Sequence, residues 1–371
     1  MTGPLRKICC WICCLFLLAV LAGCGGGESS NLAVTQAETD SAPKEEEAPL
    51  EGETTVPEDT NQAQPERPPC KGPSQQLRAT ADSYLGGENV GLLMADRKGY
   101  FGDVGLQVRV VTPGSPELPA TYVAAGGDDI GFTQQPQVVY TRALGEPIVA
   151  IGSVISEPTE ALIWLRDSGI KSVADLKGKV IATTGVPFQQ GFLEQALANA
   201  GLSPDDVAVI PGLYELVPTL LNREVSAIFG GSANIEGKTL EARGEEPVIT
   251  PVQELGIPAY DELVVTARSE YVAARPAMYR RFMAALERGT KAALEDPRRA
   301  ARAIGHSFQD SPESTGGERR AQLKATLPLL SEDEHMDPVQ AADLIAWMHE
   351  HGLIEQEPPA AELFTNKYVA P

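Results

Sequence analysis

The residues best suited to chemistry stand where apolar runs end. In the stretch 228–237, IFGGSANIEG, a short apolar segment meets two glycines and then Ser232, Asn234 and Glu236. A carboxylate only accepts hydrogen bonds, whereas an amide side chain both gives and accepts. Together they could read a solute that offers both donors and acceptors. The same residues could instead open a helix, with Ser232 as its cap and Glu236 in the first turn, favoured by the helix dipole. A capping box of spacing three is not met, because Ile235 stands three residues after Ser232.

Similar residues recur at other segment ends. Asp82 and Tyr84 lie in ADSYLGGEN, whose glycines allow a ligand to approach closely. Asp82 could equally bond its own backbone in a turn. Pro187 and Phe188 lie in GVPFQQ, between a strand and a helix. The free N–H groups of a helix start hold polar atoms there, and Phe188 either stacks on a ring or belongs to the core. Gln134 and Gln135 follow DIGFT, and Glu157 and Thr159 follow IGSVIS. Tyr214 is a further aromatic candidate. Tyr260 and Asp261 can serve a ligand or a hinge, and Trp164, in ALIWL, reads as core. None of these loops holds Lys or Arg. An oxyanion would lack a fixed cation there, so the set suits a neutral or cationic, hydrogen-bonding, partly aromatic solute.

Nothing in the pattern calls for catalysis, a metal or a cofactor. Only Cys70 follows Cys24, and His306, His335, His349 and His351 are all late in the chain. His349 and His351 are two apart and share no helix face. The net charge of −21 over 371 residues excludes a nucleic-acid binder, which needs clustered cations. No metal or cofactor is expected, and a monomer is.

The elements that must position these residues alternate between strand and helix from about residue 77. Period-2 runs such as LQVRVVT (106–112) and buried runs such as VIATT (180–184) read as strands, and NVGLLMADRKGYF (89–101) as an amphipathic helix ending near Gly99. Ser172 is placed to cap a short helix that Gly178 stops. ELVVTAR (262–268) reads as a strand returning to a first lobe, and helices follow over 276–296, 318–330 and 337–352. This order implies α/β architecture with mostly parallel sheets. Two lobes joined by two crossings form a bilobal clamp: lobe 1 over 77–168 and 264–371, lobe 2 over 169–263. Ligands in such sheets sit beyond the carboxyl ends of the strands.

The N-terminal end has another purpose. Arg6 and Lys7 precede an apolar run at 8–23 of signal-peptide length. It ends in Leu21-Ala22-Gly23-Cys24, which resembles a bacterial lipobox, with Cys24 as the lipidation site. Residues 1–24 therefore read as a lipoprotein signal, placing the rest outside the cytoplasm on a membrane. Residues 25–76 are acidic and Pro-rich with almost no aromatics, the composition of a disordered tether.

Several longer stretches carry a family resemblance. GLLMADRKGYFGDVGLQVRV resembles the first helix and second strand of type II solute-binding proteins of the nitrate, sulfonate and thiamine-precursor group. SVADLKGKVIATTG is similar to the start of their second lobe. The run GGSANIEG, with VQELGIPAYDELVV and MDPVQAADLIAWMHEHGLI…LFTNKYV, resembles the branch that binds pyrimidine precursors of thiamine. The resemblance covers residue 77 to the C-terminus. It implies a Venus-flytrap receptor for an ABC importer, closing around a small heteroaromatic solute and docking on a permease with its ATPase. An aminopyrimidine is the expected ligand; riboflavin and an alkanesulfonate or nitrate are the alternatives. Members of the branch commonly carry Tyr-Trp where this chain has Ser232 and Ala233, so a stacking wall is missing. The related thiamine-pyrimidine synthase uses a lysine and a histidine in the loop that corresponds to 131–137, and a cysteine-rich iron motif. This chain has neither there, so the resemblance implies a binder, with an enzyme of that kind as the less favoured alternative.

Overall fold

The computed structural model describes residues 74–307 and 315–370. The signal segment, Cys24 and the tether up to residue 73 lie outside the described residues. Ten strands form two five-stranded sheets: β1 (Gln75–Thr80), β2 (Leu106–Val111), β3 (Ile130–Thr133), β4 (Ile148–Ile155), β5 (Glu160–Leu165), β6 (Val180–Thr183), β7 (Ala208–Pro211), β8 (Ala227–Ser232), β9 (Pro247–Pro251) and β10 (Leu263–Arg268). The first sheet runs β2-β1-β3-β10-β4 and the second β7-β6-β8-β5-β9.

Within each sheet the pairings of successive βαβ units are parallel, as the strand–helix alternation requires. The strands next to the crossings run the other way. β10 is antiparallel to β3 and β4, and β5 is antiparallel to β8 and β9. The sheets are therefore mixed rather than mostly parallel, because a chain that leaves one lobe and re-enters it comes back in the opposite direction. β5, Trp164 included, belongs to the second sheet, so the first crossing lies at 156–159 and not at 168. Trp164 is buried, as its apolar run implies.

The first lobe is closed by the long helix Pro276–Glu295, which packs on the helix Val90–Arg97. Their backbones approach so closely that a Cβ at Gly289 would meet the carbonyl oxygen of Gly91 at 2.1 Å, so only glycine fits. The helix Pro338–Glu350 lies across both lobes on the hinge side. It buries Leu344, Ile345 and Met348 in a cluster that also contains Phe188, Phe192 and Tyr260. Trp347 meets Phe192 edge-on with ring centroids 5.4 Å apart.

Candidate functional site

The carboxyl ends of β1, β3, β6, β7 and β8 converge with the start of β10 on one cavity of about 320 Å³. Such convergence follows from the topology: helices cover the sheet faces, so only loops at strand ends can meet across the gap. The loop after β1 gives Asp82, Tyr84 and Glu88; the others give Gln134, Thr184, Tyr214, Ser232 and Glu236; Glu262 precedes β10. The helix Gly316–Thr326, which a Thr315–Glu318 capping box starts, returns over the gap and adds Glu318 and Gln322.

The stretch IFGGSANIEG resolves into β8 followed by a π-helical turn at Ala233–Gly237. Gly230 has φ +87°, and a Cβ there would collide with the Gln189 side chain. Glu236 reaches back so that its Oε2 accepts the N–H of Ser232 at 2.6 Å. This is the reciprocal half of a capping box lengthened by one residue, which the wider π turn makes possible. The capping and binding readings of Glu236 thus coexist: one oxygen is held by the backbone while the side chain lines the cavity. Asn234 is placed differently. It is buried, and its Nδ2 donates to Glu88 Oε1 at 3.2 Å and to Thr326 Oγ1 at 2.9 Å. It bridges the lobes beside the cavity. Gln322 to Thr239 (2.8 Å) and Arg243 to Glu318 (2.9 Å) are parallel bridges.

Of the other sequence candidates, Asp82, Tyr84, Gln134, Tyr214 and Ser232 line the cavity with Glu236. Tyr84 and Tyr214 lie against each other across the gap, with centroids 5.3 Å apart and rings tilted by 54°. The Tyr214 hydroxyl donates to the backbone oxygen of Asp82 at 3.2 Å. These two rings supply an aromatic surface that Ser232 and Ala233 lack.

The remaining candidates do not reach the cavity. Phe188 is 1 % exposed and packs edge-on against Phe192, because its helix turns that side to the core. Pro187, at the first position of that helix, is exposed. Gln135 is buried and exchanges hydrogen bonds with Asp261. Glu157 is exposed on the first crossing. Thr159 gives its backbone N–H to Glu262, and the Tyr260 hydroxyl donates to Glu160 at 2.8 Å. Tyr260 and Asp261 thus serve the hinge. Sequence reading missed Glu88, Glu262, Arg243, Glu318 and Gln322. Glu88 stands in the same glycine-rich loop as Asp82, and Glu262 directly follows Asp261, so both had a local signal. Gln322 had none, since it reaches the site only by the return of a distant helix.

The electrostatics of the cavity are one-sided. Burial pushes the Glu88 carboxyl well above its ordinary range, and Asp82 and Glu262 push it further. Burial also raises Asp82, against hydrogen bonds from Asn89 and Ser83, and Glu236, against the N–H of Ser232. Glu262 is raised by burial, opposed by two backbone N–H groups. Arg243 also lines the cavity, and it is paired with Glu318. Four carboxyl groups that disfavour each other's charge gain from any ligand that brings donors or positive charge. Among the described residues no cluster of His, Cys, Asp and Glu is arranged to hold a metal ion.

Comparison with known proteins adds a lineage. Residues 87–300 match the family described as NMT1/THI5 like. The chain is 34% identical over 193 residues to a putative thiamine biosynthesis protein of Haemophilus influenzae, covering 52% of this chain and 62% of that protein. It is 27% identical over 191 residues to the formylaminopyrimidine-binding protein of Halalkalibacterium halodurans, covering 52% and 58%. A shorter match, 29% over 139 residues, covers 38% of this chain and 40% of the 4-amino-5-hydroxymethyl-2-methylpyrimidine phosphate synthase of Schizosaccharomyces pombe. The chain therefore spans about six-tenths or less of the curated relatives it matches. In fold it is similar to the alkanesulfonate-binding protein SsuA of Xanthomonas axonopodis, with a TM-score of 0.63 at 16% identity, over 79% of this chain and 99% of that one.

Proposed function

We infer that this chain, which belongs to the NMT1/THI5-like family, is the solute-binding component of an importer and captures an aminopyrimidine precursor of thiamine. One observation carries the reading. A cavity of about 320 Å³ between two α/β lobes is walled by Asp82, Glu88, Glu236 and Glu262 and by a pair of tyrosines. A flat ring with an exocyclic amine matches that wall in size, in stacking surface and in its donors. An alkanesulfonate would meet four carboxyl groups, which disfavour it. The resemblance to a formylaminopyrimidine-binding protein supports the same choice.

Capture needs no bond to be made or broken. A ligand touching both lobes stabilises the closed arrangement by the contacts that only closure provides. An enzymatic reading would need a nucleophile or acid–base pair, and the loop 131–137 holds neither Lys nor His. The permease and its ATPase are the proposed partners, the body acting as a monomer. Cys24 is the proposed lipid anchor, which holds the body on the outer side of the membrane. Among the described residues no helix is long and apolar enough to cross a membrane.

A thermal-shift screen of the purified protein tests the ligand class. Formylaminopyrimidine or hydroxymethylaminopyrimidine at about 1,000 times its Kd should add roughly 4 kcal/mol of stability. Riboflavin and taurine should add little. A shift with taurine alone would reverse the assignment. Cys24→Ala should abolish incorporation of radiolabelled palmitate in a bacterial host, and labelling that persists would remove the anchor.

A further inference from the structure

The second crossing carries three consecutive polar residues, and each is tied to the first lobe or to the place where the first crossing enters β5. Tyr260 donates to Glu160 Oε2 at 2.8 Å. Asp261 accepts from Ser153 at 2.7 Å and from Gln135 at 2.9 Å. Glu262 differs from both. Its Oε2 accepts the backbone N–H groups of Thr159 at 2.7 Å and Glu160 at 3.1 Å, the two residues where the first crossing enters β5. The same side chain, 5 % exposed, forms part of the cavity wall.

We propose that Glu262 is a ligand-binding residue that connects the ligand to the hinge: one carboxylate oxygen takes a donor of the ligand, while the other holds the two backbone N–H groups that join the crossings. This rests on the reading of the cavity as a site for an amine-bearing ring. A donor from the ligand draws the carboxyl group into its ionised form, and an ionised carboxylate holds backbone N–H groups more tightly than a neutral one. Ligand in the cavity therefore stiffens the crossings, which is what a clamp needs in order to stay shut.

The groups that face Glu262 are Glu160 from β5, Asp82 and Glu88 from the loop after β1, Glu236 from the π turn, and the Tyr260 hydroxyl. Arg243, in the same wall, is paired with Glu318. Glu160 feels the charge of Glu262 directly. It is buried with Tyr260 and Gln189 as its donors, and burial and Glu262 both raise it. When Glu160 holds the proton, Glu262 carries the charge that the ligand meets. Affinity for an amine-bearing ring should therefore fall as the pH drops and Glu262 becomes protonated.

The test uses the whole protein with hydroxymethylaminopyrimidine as probe. Affinity is measured by calorimetry between pH 5.5 and 8.5, and amide exchange at Thr159 and Glu160 by mass spectrometry. The wild type should bind more tightly as pH rises, and bound probe should slow exchange at both amides several-fold. E262Q keeps an acceptor for the amides but should lose at least tenfold in affinity, its acid limb and the ligand-dependent protection. E160Q, whose neutral side chain copies protonated Glu160, should keep the affinity at pH 8.5 and leave the acid limb in place. E262Q with the wild type's affinity and pH profile overturns the proposal while leaving the ligand assignment standing. A wild type that does not bind the probe overturns both. Should E262Q not fold, the wild type decides: exchange at Thr159 and Glu160 that bound probe leaves unchanged overturns the proposal.

Discussion

Three serines in the second lobe hold a carboxylate in the same way, and only one of them belongs to the cavity. Ser172 gives its N–H to Asp175 at 3.0 Å, Ser203 gives its N–H to Asp206 at 2.9 Å, and Ser232 gives its N–H to Glu236 at 2.6 Å. The first two are exposed capping boxes of spacing three. Their backbone N–H donors hold both carboxyl groups below the ordinary range, Asp206 at about 2 with help from Lys177. The third spans a π turn with spacing four, is half-buried in the cavity wall, and is raised instead. One local motif yields opposite chemistry, and desolvation decides which. An exposed carboxylate at a helix start is a cap. The same group under two lobes is a poised acceptor for a ligand.

The sharpest way to break this contrast is to remove the charge at each site and compare. Glu236→Gln keeps an acceptor for Ser232 but loses the charge facing the ligand. Aminopyrimidine affinity should fall about 100-fold, roughly 3 kcal/mol, with the unfolding midpoint nearly unchanged. Calorimetry and chemical denaturation measure both, and unchanged affinity would return Glu236 to a purely capping role. Next in size is Asn234→Ala. It strips a buried donor from Glu88 and Thr326, and stability in denaturant should drop by about 1–3 kcal/mol. A drop of only a few tenths would mean that the interlobe bridge is incidental.

Titration sharpens the same comparison, because the two kinds of carboxyl group bend stability in opposite directions. Asp261 is raised to about 7 by burial, against its bond from Ser153. Folded Asp261 keeps a proton that the unfolded chain has lost above about pH 3.9. Its contribution is complete below that pH and fades as pH rises to about 7, by at most about 1.4 kcal/mol per pH unit. Asp206 does the reverse: its contribution is present above about pH 3.9 and is lost as pH falls towards 2. Denaturant midpoints from pH 4 to 8 should therefore decline, and Asp261→Asn should flatten the decline. A slope that the substitution leaves unchanged would assign the effect elsewhere. The smallest effect is expected at the exposed cap. Asp206→Asn should leave ligand affinity unchanged and lower the midpoint only slightly, and any change in affinity would contradict the contrast.

These particulars also show what the sequence could convey. Local features were legible: the Ser172 cap, the strand at VIATT and the helix after Gly185, whereas the first crossing was placed too late. So were the strand-end residues Asp82, Tyr84, Gln134, Tyr214, Ser232 and Glu236. What failed needed knowledge of which face is dry. Phe188 and Gln135 sit at helix starts that look open in one dimension but face the core. The direction of β5 and β10 depends on the whole path of the chain, and no period or cap encodes it. Gln322 and Glu318 reach the cavity from fifty or more residues beyond β10. Contacts of that range leave no mark on the residues' neighbours. Asn234 lay between these cases. Its position at the end of β8 was readable, but its role as a bridge depends on Glu88 and Thr326 from the other lobe.

The central claim is that the carboxyl-lined cavity recognises a ring through the donors on its amine. The most direct measurement compares, by calorimetry on the wild type, hydroxymethylaminopyrimidine with the analogue whose amine is dimethylated. The analogue has the same ring and stacking surface but no N–H to give. The expected result is saturable binding of the parent and a loss of at least tenfold in affinity for the analogue. Equal affinity for the two would mean that the carboxyl groups do not read the amine, and the assignment would fail.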